Sequence, residues 1–300
     1  MKPTPDNGDP WIKRAEHYLS NAIIHGCMIR AALALPYNMR VRLFGAIMAY
    51  VIGPIVGYRR RAIEHLAHIF PDMDLKTRKS LATACLNNAG RSFIENYSGR
   101  ELLERMKDHP ITGEGVAAIA AAKAEGRPVI LAGSHFGNFE ATRAALVTRG
   151  YDVGCLYRNL SNPHFNEHYV RNMHDLGGPA FPQGRRGTAG FVRHLKAGGQ
   201  MVMLHDLHVF GAPVLDFMGQ PARTSLSVAE LAIRFNAVLI PYFGIRQPDG
   251  LSFELVLEAP IAHDEPLVMM QAVNDNLGTR IRATPEQWFW VHRRWRPDSV

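Results

Sequence analysis

The chain is poor in cysteine, poor in lysine and free of long apolar runs, and each shortage narrows what it can be. Cysteine occurs three times in 300 residues, at positions 27, 85 and 155. The number is odd, and no zinc or redox spacing appears. That excludes a disulfide framework and fits a reducing compartment. Only seven of the 34 basic residues are lysine, the rest being arginine, and the net charge is +7. Arginine grips phosphates and carboxylates in bidentate fashion and tolerates partial desolvation. The imbalance therefore suggests an anionic partner: phospholipid, nucleotide or nucleic acid. A GC-rich genome accounts for the ratio equally well, but not for where the arginines cluster.

The longest apolar run, LFGAIMAYVIGPIVG, covers the 15 residues 43–57. A helix needs about 20 apolar residues to span a bilayer, and Pro54 interrupts this one. It suits a segment that lies in the interface or dips into one leaflet. The first ten residues are polar with three prolines, and no apolar run follows directly. A secretory signal is not expected. There is no internal repeat, no low-complexity linker, and no Gly-x-Ser-x-Gly elbow of the kind a serine lipase uses.

What is present divides in two. Residues 11–107 carry apolar positions at three- and four-residue spacing and read as helical. Arg40 and Arg42 precede the apolar run, and Arg59, Arg60 and Arg61 follow it. Apolar surface flanked by arginine suits an anionic membrane surface; a core hairpin with solvated ends has the same pattern. From about 127, short apolar runs alternate with helical stretches. Strands are expected at Pro128–Gly133, Val153–Arg158, Gln200–Asp206, Val238–Arg246 and Phe253–Glu258. Helices are expected at about 138–149, 163–176, 187–197, 226–236 and 266–283. Such alternation predicts an α/β fold with a mostly parallel sheet flanked by helices. The expected organisation is a helical, interfacial region over 1–107 and an α/β domain over 108–300.

The segment Val129-Ile-Leu-Ala-Gly-Ser-His135-Phe-Gly-Asn-Phe-Glu140 reads as strand, turn, helix. Functional groups of α/β sheets gather where strands end, and His135 falls there. In an unbroken helix, residues five apart diverge by about 140°. Gly137 and Asn138 offer a turn through which His135 and Glu140 can converge. A carboxylate beside an imidazole fixes its tautomer and stabilises the imidazolium, which is the equipment for general-base activation of a hydroxyl. Amides at the following helix start could hold an anion. Spacing alone fits equally well a buried histidine bonded to a carbonyl, with Glu140 opening a helix.

His135-Phe-Gly-Asn-Phe-Glu140 resembles the H-x-x-x-x-[D/E] signature of glycerolipid acyltransferases, and more closely the H-F-G-N-[W/F]-E form of the bacterial lipid A biosynthesis (late, or lysophospholipid) acyltransferases. The likeness extends along most of the chain. Ala62–Pro71 is similar to the family's R-x-A-x-x-N-L-x-x-x-F-P. Tyr157-Arg158-Asn159 with Asn162-Pro163 resembles Y-R-P…N-P, and Gly219–Thr224 with Ala229, Leu231, Ala232 and Arg234 resembles G-x-P-A-x-T…L-A-x-R. Pro285–Trp288 with Trp290 and His292–Trp295 resembles P-E-Q-W-x-W-x-H-R-R-W.

The resemblance implies a glycerolipid-acyltransferase-like fold. It also implies transfer of a fatty acyl chain from an acyl-carrier-protein or CoA thioester to a hydroxyl of a lipid acceptor, with no metal or organic cofactor. His135 would be the base and Glu140 its partner. Arg158, Asn138 and Arg186 would contact substrate or phosphate, and Asp206 would support the site. The acceptor would be an anionic membrane lipid, a lipid A precursor or a related glycolipid or phospholipid. The place of work would be the cytoplasmic face of the bacterial inner membrane, in peripheral or monotopic attachment. Two departures stand out: Leu207 replaces the glutamine of the family's D-Q pair, and the early Asn-Leu becomes His65-Leu66.

Other features carry rival readings. His164-Phe-Asn-Glu167-His168 matches an H-x-x-E-H zinc pattern but lacks a third ligand in context, and an exposed helix face is the simpler reading. His205-Asp-Leu-His208 similarly invites a metal, though His205 is expected at a strand end beside the cleft. Arg185 and Arg186 sit in a short basic turn that suits a phosphate or a solvated loop alike. The tail interleaves Arg280, Arg282, Arg293, Arg294 and Arg296 with Trp288, Trp290 and Trp295, which suits an interfacial anchor; one of Trp288 and Trp290 is expected to be buried. The competing functions are a basic nucleic-acid-binding module, which has no use for a strand-end His/Glu pair, and a lipid hydrolase or esterase, which needs a nucleophile.

Overall fold

A computed structural model describes residues 27–296; the expected helical segment 11–26 lies outside it. Helices come first: α1 (Arg30–Leu33), α2 (Tyr37–Ile47), α3 (Tyr58–Ile69), α4 (Leu75–Asn96) and α5 (Gly99–Met106). A π-helical turn at Met48–Ile52 and Pro54 interrupt the apolar run before α3. The path turns by 88° there, and no single helix among the described residues is long and apolar enough to cross a membrane. α4 is started by Asp74, whose carboxylate accepts the Thr77 amide.

The rest alternates. β1 (Ile111–Thr112), α6 (Gly115–Ala124), β2 (Val129–Gly133), α7 (Phe139–Thr148), β3 (Val153–Tyr157), α8 (Pro163–Asp175), β4 (Ala180–Pro182), α9 (Arg185–Lys196) and β5 (Gln200–Leu204) come in turn. After them come β6 (Val214–Phe217), β7 (Gln220–Arg223), α10 (Ser227–Arg234), β8 (Val238–Arg246), β9 (Phe253–Leu257) and α11 (Pro266–Ala283). Seven strands form one sheet in the order β1-β9-β8-β2-β5-β3-β4. Every pair in it is parallel except β8 with β9. The fold is α/β with a mostly parallel sheet flanked by helices. β2 is buried at all five positions, because a parallel strand covered on both faces must be apolar throughout.

The five expected strands and five expected helices all form, with ends shifted by at most two residues. The antiparallel hairpin β6–β7 does not follow from the sequence reading. Its turn uses Met218 and Gly219, both with positive φ (61° and 84°). Met-Gly lacks the Asn-Gly or Asp-Gly signal that marks such turns.

Two expected membrane features turn inward. Arg40 is buried, donating to Ser98 and paired with Glu101. Trp288, Trp290 and Trp295 all lie in the core with Phe217 and Leu277, and Arg294 is fully buried beside them. Of the tail arginines, Arg282, Arg293 and Arg296 stay exposed.

Candidate active site

The chemistry begins with strand register. In the parallel pair β2–β5, Gly133 lies opposite Leu204, and the amide of His205 donates to the carbonyl of Gly133. Two residues further along, position 135 meets position 206. Asp206 Oδ2 accepts the backbone N–H of His135 at 2.9 Å, and Oδ1 lies 2.9 Å from His135 Nδ1. Trp288 Nε1 donates a third bond to Oδ2, also at 2.9 Å. Burial works against a charge on Asp206, but the His135 imidazole and its hydrogen bond hold the carboxyl well below the usual carboxylate range. An ionised carboxylate only accepts hydrogen bonds, so Nδ1 carries the hydrogen and Nε2 presents its lone pair. His135 is partly exposed while Asp206 is sealed.

The loop after His135 is clamped from three sides. The amide of Phe289 donates to the carbonyl of His135, that of Gly137 to Gln287, and that of Asn138 to Gly244 of β8. Gly137 has φ +55°, and a Cβ there would sit 2.1 Å from the Gly244 carbonyl oxygen. Only glycine fits this crossing. The Asn138 side chain accepts the Glu140 amide and donates to Glu95. Glu95 in turn forms a bidentate ion pair with Arg246 at 2.6 and 2.7 Å, with both groups buried. Sequence reasoning missed this pair: its members are 151 residues apart and no local pattern joins them.

The expected convergence of His135 and Glu140 is therefore redirected. The carboxylate on His135 is Asp206. Glu140 pairs instead with Arg143 at 3.1 Å, and Arg143 also donates to the carbonyls of Met173 and Gly177. Asn138, expected to contact substrate, is fully buried and serves as helix cap and Glu95 partner. The amides of Gly137, Asn138 and Glu140 all have partners inside the protein, so they offer no anion site. Arg158 follows β3 at the same sheet edge as His135 and is exposed. Arg186 lies in the first turn of α9, just beyond β4 at that edge. Asp206 finds Trp288 in place of the family's glutamine; Leu207 is exposed.

His292 was placed by the sequence only within a motif. Its ring stands 4.3 Å from that of His135, edge to face. Burial, and secondarily His135, lowers its pKa to about 4. Burial does the same to His205, also to about 4. Both are neutral near pH 7 and only weakly basic, so they draw little on the His135 proton compared with ionised Asp206. Among the described residues no group of His, Cys, Asp or Glu could hold a metal ion.

Two hollows meet beside His135. A cavity of about 240 Å³ contains His135, Ser92 and Phe289. It shares Phe93, Asn96 and Phe139 with a deeper, mostly apolar cavity of about 320 Å³ walled by Phe165, Tyr169, Met173 and Leu204. His135 thus stands at the mouth of an apolar channel.

The family described as bacterial lipid A biosynthesis acyltransferase matches residues 13–297. The chain belongs to that family. It is an acyltransferase, and its family's relatives act on lipids. A lipid A biosynthesis acyltransferase of Haemophilus influenzae is 24% identical over 86% of this chain and 81% of its own. A lipid A biosynthesis lauroyltransferase of Escherichia coli is 25% identical over 81% of each chain. A phosphatidylinositol mannoside acyltransferase of Mycobacterium tuberculosis is 25% identical over 73% of this chain and 71% of its own. Acyl transfer to a lipid acceptor is thus common to this acyltransferase's relatives, while the headgroup varies.

Proposed function

We propose that the enzyme moves a fatty acyl chain from an acyl-carrier-protein or CoA thioester to a hydroxyl of a membrane glycolipid or phospholipid, a lipid A precursor or a relative of it, with His135 as general base. The observation that carries this is the His135–Asp206 pair at the mouth of the apolar channel. His135 Nε2 takes the acceptor's hydroxyl proton as the oxygen attacks the thioester carbonyl. The new C–O bond forms, the C–S bond breaks, and the thiolate leaves with the proton returned by the imidazolium. Asp206 orients the ring and stabilises its charged form. The channel takes the acyl chain, and Glu140, through Arg143, braces its α8 wall. Arg158 and Arg186 stand at the edge where phosphates of donor or acceptor would approach.

Transfer is direct, without an acyl-enzyme. Ser134 is buried. Burial pushes the thiol of Cys155, in the channel wall, up to about 11, and that of Cys85 up to about 12. Thiols held protonated are poor nucleophiles.

Membrane contact is supported by the bend before α3. Tyr50 and Ile55 are 71% and 79% exposed there, with Val51, Val56 and Phe210 also open. Apolar patches of this kind mark interaction surfaces. We read this as peripheral or monotopic attachment, and the family resemblance supports the cytoplasmic face of the inner membrane as the place.

Purified protein incubated with labelled thioesters and a lipid extract should yield an acylated lipid. His135→Ala should lower turnover by about a thousand-fold or more while flotation with anionic liposomes is retained. Near-normal turnover in that variant, or free fatty acid as the main product, would sink the proposal.

A further inference from the structure

A second recess, of about 540 Å³, is lined in part by Arg293, Trp295 and Arg296, which follow the Trp290–His292 segment. Among the described residues its lining carries four arginines, Arg60, Arg61, Arg293 and Arg296, and one acid, Glu64. Glu64 is engaged with Arg60 at 3.5 Å. Its inner wall is tied to the active site. Arg61 donates to the carbonyl of Val291, and His65 bonds that of Trp290 at 2.7 Å. His292, which follows Val291, meets the His135 ring edge to face.

Two further observations point to an anion. α3 begins beside this recess after Gly57, which is left-handed at φ +76° and provides no side-chain cap. A Cβ at Gly57 would meet nothing within 4 Å, so the helix start opens on free space. Its first amides are donors without an intrahelical partner, at the positive end of the helix. Independently, Trp295 lines the recess and is 7% exposed, and among the described residues its buried indole Nε1 has no partner. A buried N–H donor that lacks an acceptor is rare and calls for one. The rim is apolar: Val56 and Phe210 belong to the recess and are both exposed, Phe210 at 89%. Arginine forks below an apolar rim suit a phosphate that arrives attached to lipid.

We propose that this recess binds a phosphate of the acceptor lipid's headgroup, holding the headgroup beside His135 while its acyl chains stay in the membrane. The inference deepens the acyl-transfer reading and rests on it for the word acceptor. It explains why the arginines after the apolar run and those of the tail, more than 200 residues apart, line one hollow.

The test is Arg60→Gln/Arg293→Gln, two exposed positions, compared with Arg100→Gln/Arg193→Gln, which removes the same charge elsewhere on the surface. Unchanged thermal midpoints establish folding. Short-chain phosphatidic acid, short-chain phosphatidylcholine and inorganic phosphate are titrated into each full-length protein. The expected result is saturable binding of phosphatidic acid that the recess variant weakens at least ten-fold and the control variant leaves within two-fold. Phosphatidylcholine should bind more weakly than phosphatidic acid to the unaltered protein. With a phosphorylated acceptor, the recess variant should raise KM at least ten-fold with kcat within two-fold.

Equal losses in both variants would reduce the recess to general surface charge, and no loss in either would remove it; both overturn the proposal. Inorganic phosphate binding as tightly as phosphatidic acid would overturn the lipid assignment. If no acylated product forms but recess-dependent phosphatidic acid binding persists, the acyl-transfer reading fails and the phosphate site stands. If product forms with an unchanged KM, the reverse holds.

Discussion

Two carboxylates serve this site in opposite ways. Asp206, at the end of β5, gives both oxygens to the machinery: one to the imidazole of His135, the other to that residue's amide and to Trp288. Glu140, in the first turn of α7, is paired with Arg143 and through it with the carbonyls that end α8. The first sets the chemistry of a nitrogen, and the second sets the shape of a wall. The difference teaches that nearness in sequence is a poor guide to partnership. Parallel register brings residue 206 to residue 135 across 71 positions, while five residues of loop and helix carry Glu140 away.

The sharpest way to break this contrast is Asp206→Asn. An amide cannot stabilise the imidazolium, and it favours the wrong tautomer. Turnover should fall by about ten-thousand-fold with acceptor KM little changed, as steady-state kinetics would record. If Glu140→Gln costs more than Asp206→Asn, the roles are reversed.

The next effect concerns the frame that holds both carboxylates. Arg246→Ala leaves Glu95 buried without its partner, at a cost of about 3–5 kcal/mol. A large drop in thermal midpoint should follow, along with loss of activity, because Glu95 also anchors Asn138. A midpoint within two degrees of the parent would remove the ion pair from the frame.

A smaller effect is expected from pH. His205 and His292 ordinarily titrate near 6.5 and are lowered to about 4 by burial. Between those values the unfolded chain binds protons that the fold excludes. Stability is therefore full above about pH 6.5 and lost as pH falls toward about 4, by on the order of 3 kcal/mol for the more deeply buried His205. Denaturation midpoints at pH 7, 5.5 and 4.5 should decline in that order, and His205→Phe should flatten the decline. A midpoint that rises on acidification would refute the assignment.

The smallest effect should come from Glu140→Gln: less than ten-fold in turnover, with the pH–rate profile of His135 unmoved. The loss should grow with acyl chain length if the α8 wall is what has loosened. A shifted profile would return Glu140 to the base.

Much of this was legible beforehand, for specific reasons. The strand at Val129–Gly133 and its neighbours announced themselves because buried parallel strands must be continuously apolar. His135 was singled out at a strand end before Gly137 and Asn138, where a buried structural histidine fitted equally well, and the family resemblance decided between the two. Asp206 appeared only through family resemblance, as a supporting residue, since nothing local ties it to His135. Glu95, Arg246 and His292 stayed hidden: their meaning lies in pairings across the fold. Trp295 and Arg294 misled, because alternating tryptophan and arginine looks the same on a membrane surface as in a core where the guanidinium meets carbonyl and hydroxyl oxygens.

The segment at 287–292 has a consequence in time. It is synthesised after every strand of the sheet, yet it provides the indole on Asp206, the amide on the His135 carbonyl and the ring against His135. A nascent chain can assemble its sheet while the base still lacks its setting. Until residues 287–292 dock, Asp206 lacks its indole donor and the His135 carbonyl lacks its amide partner, so the sheet can form before this setting does.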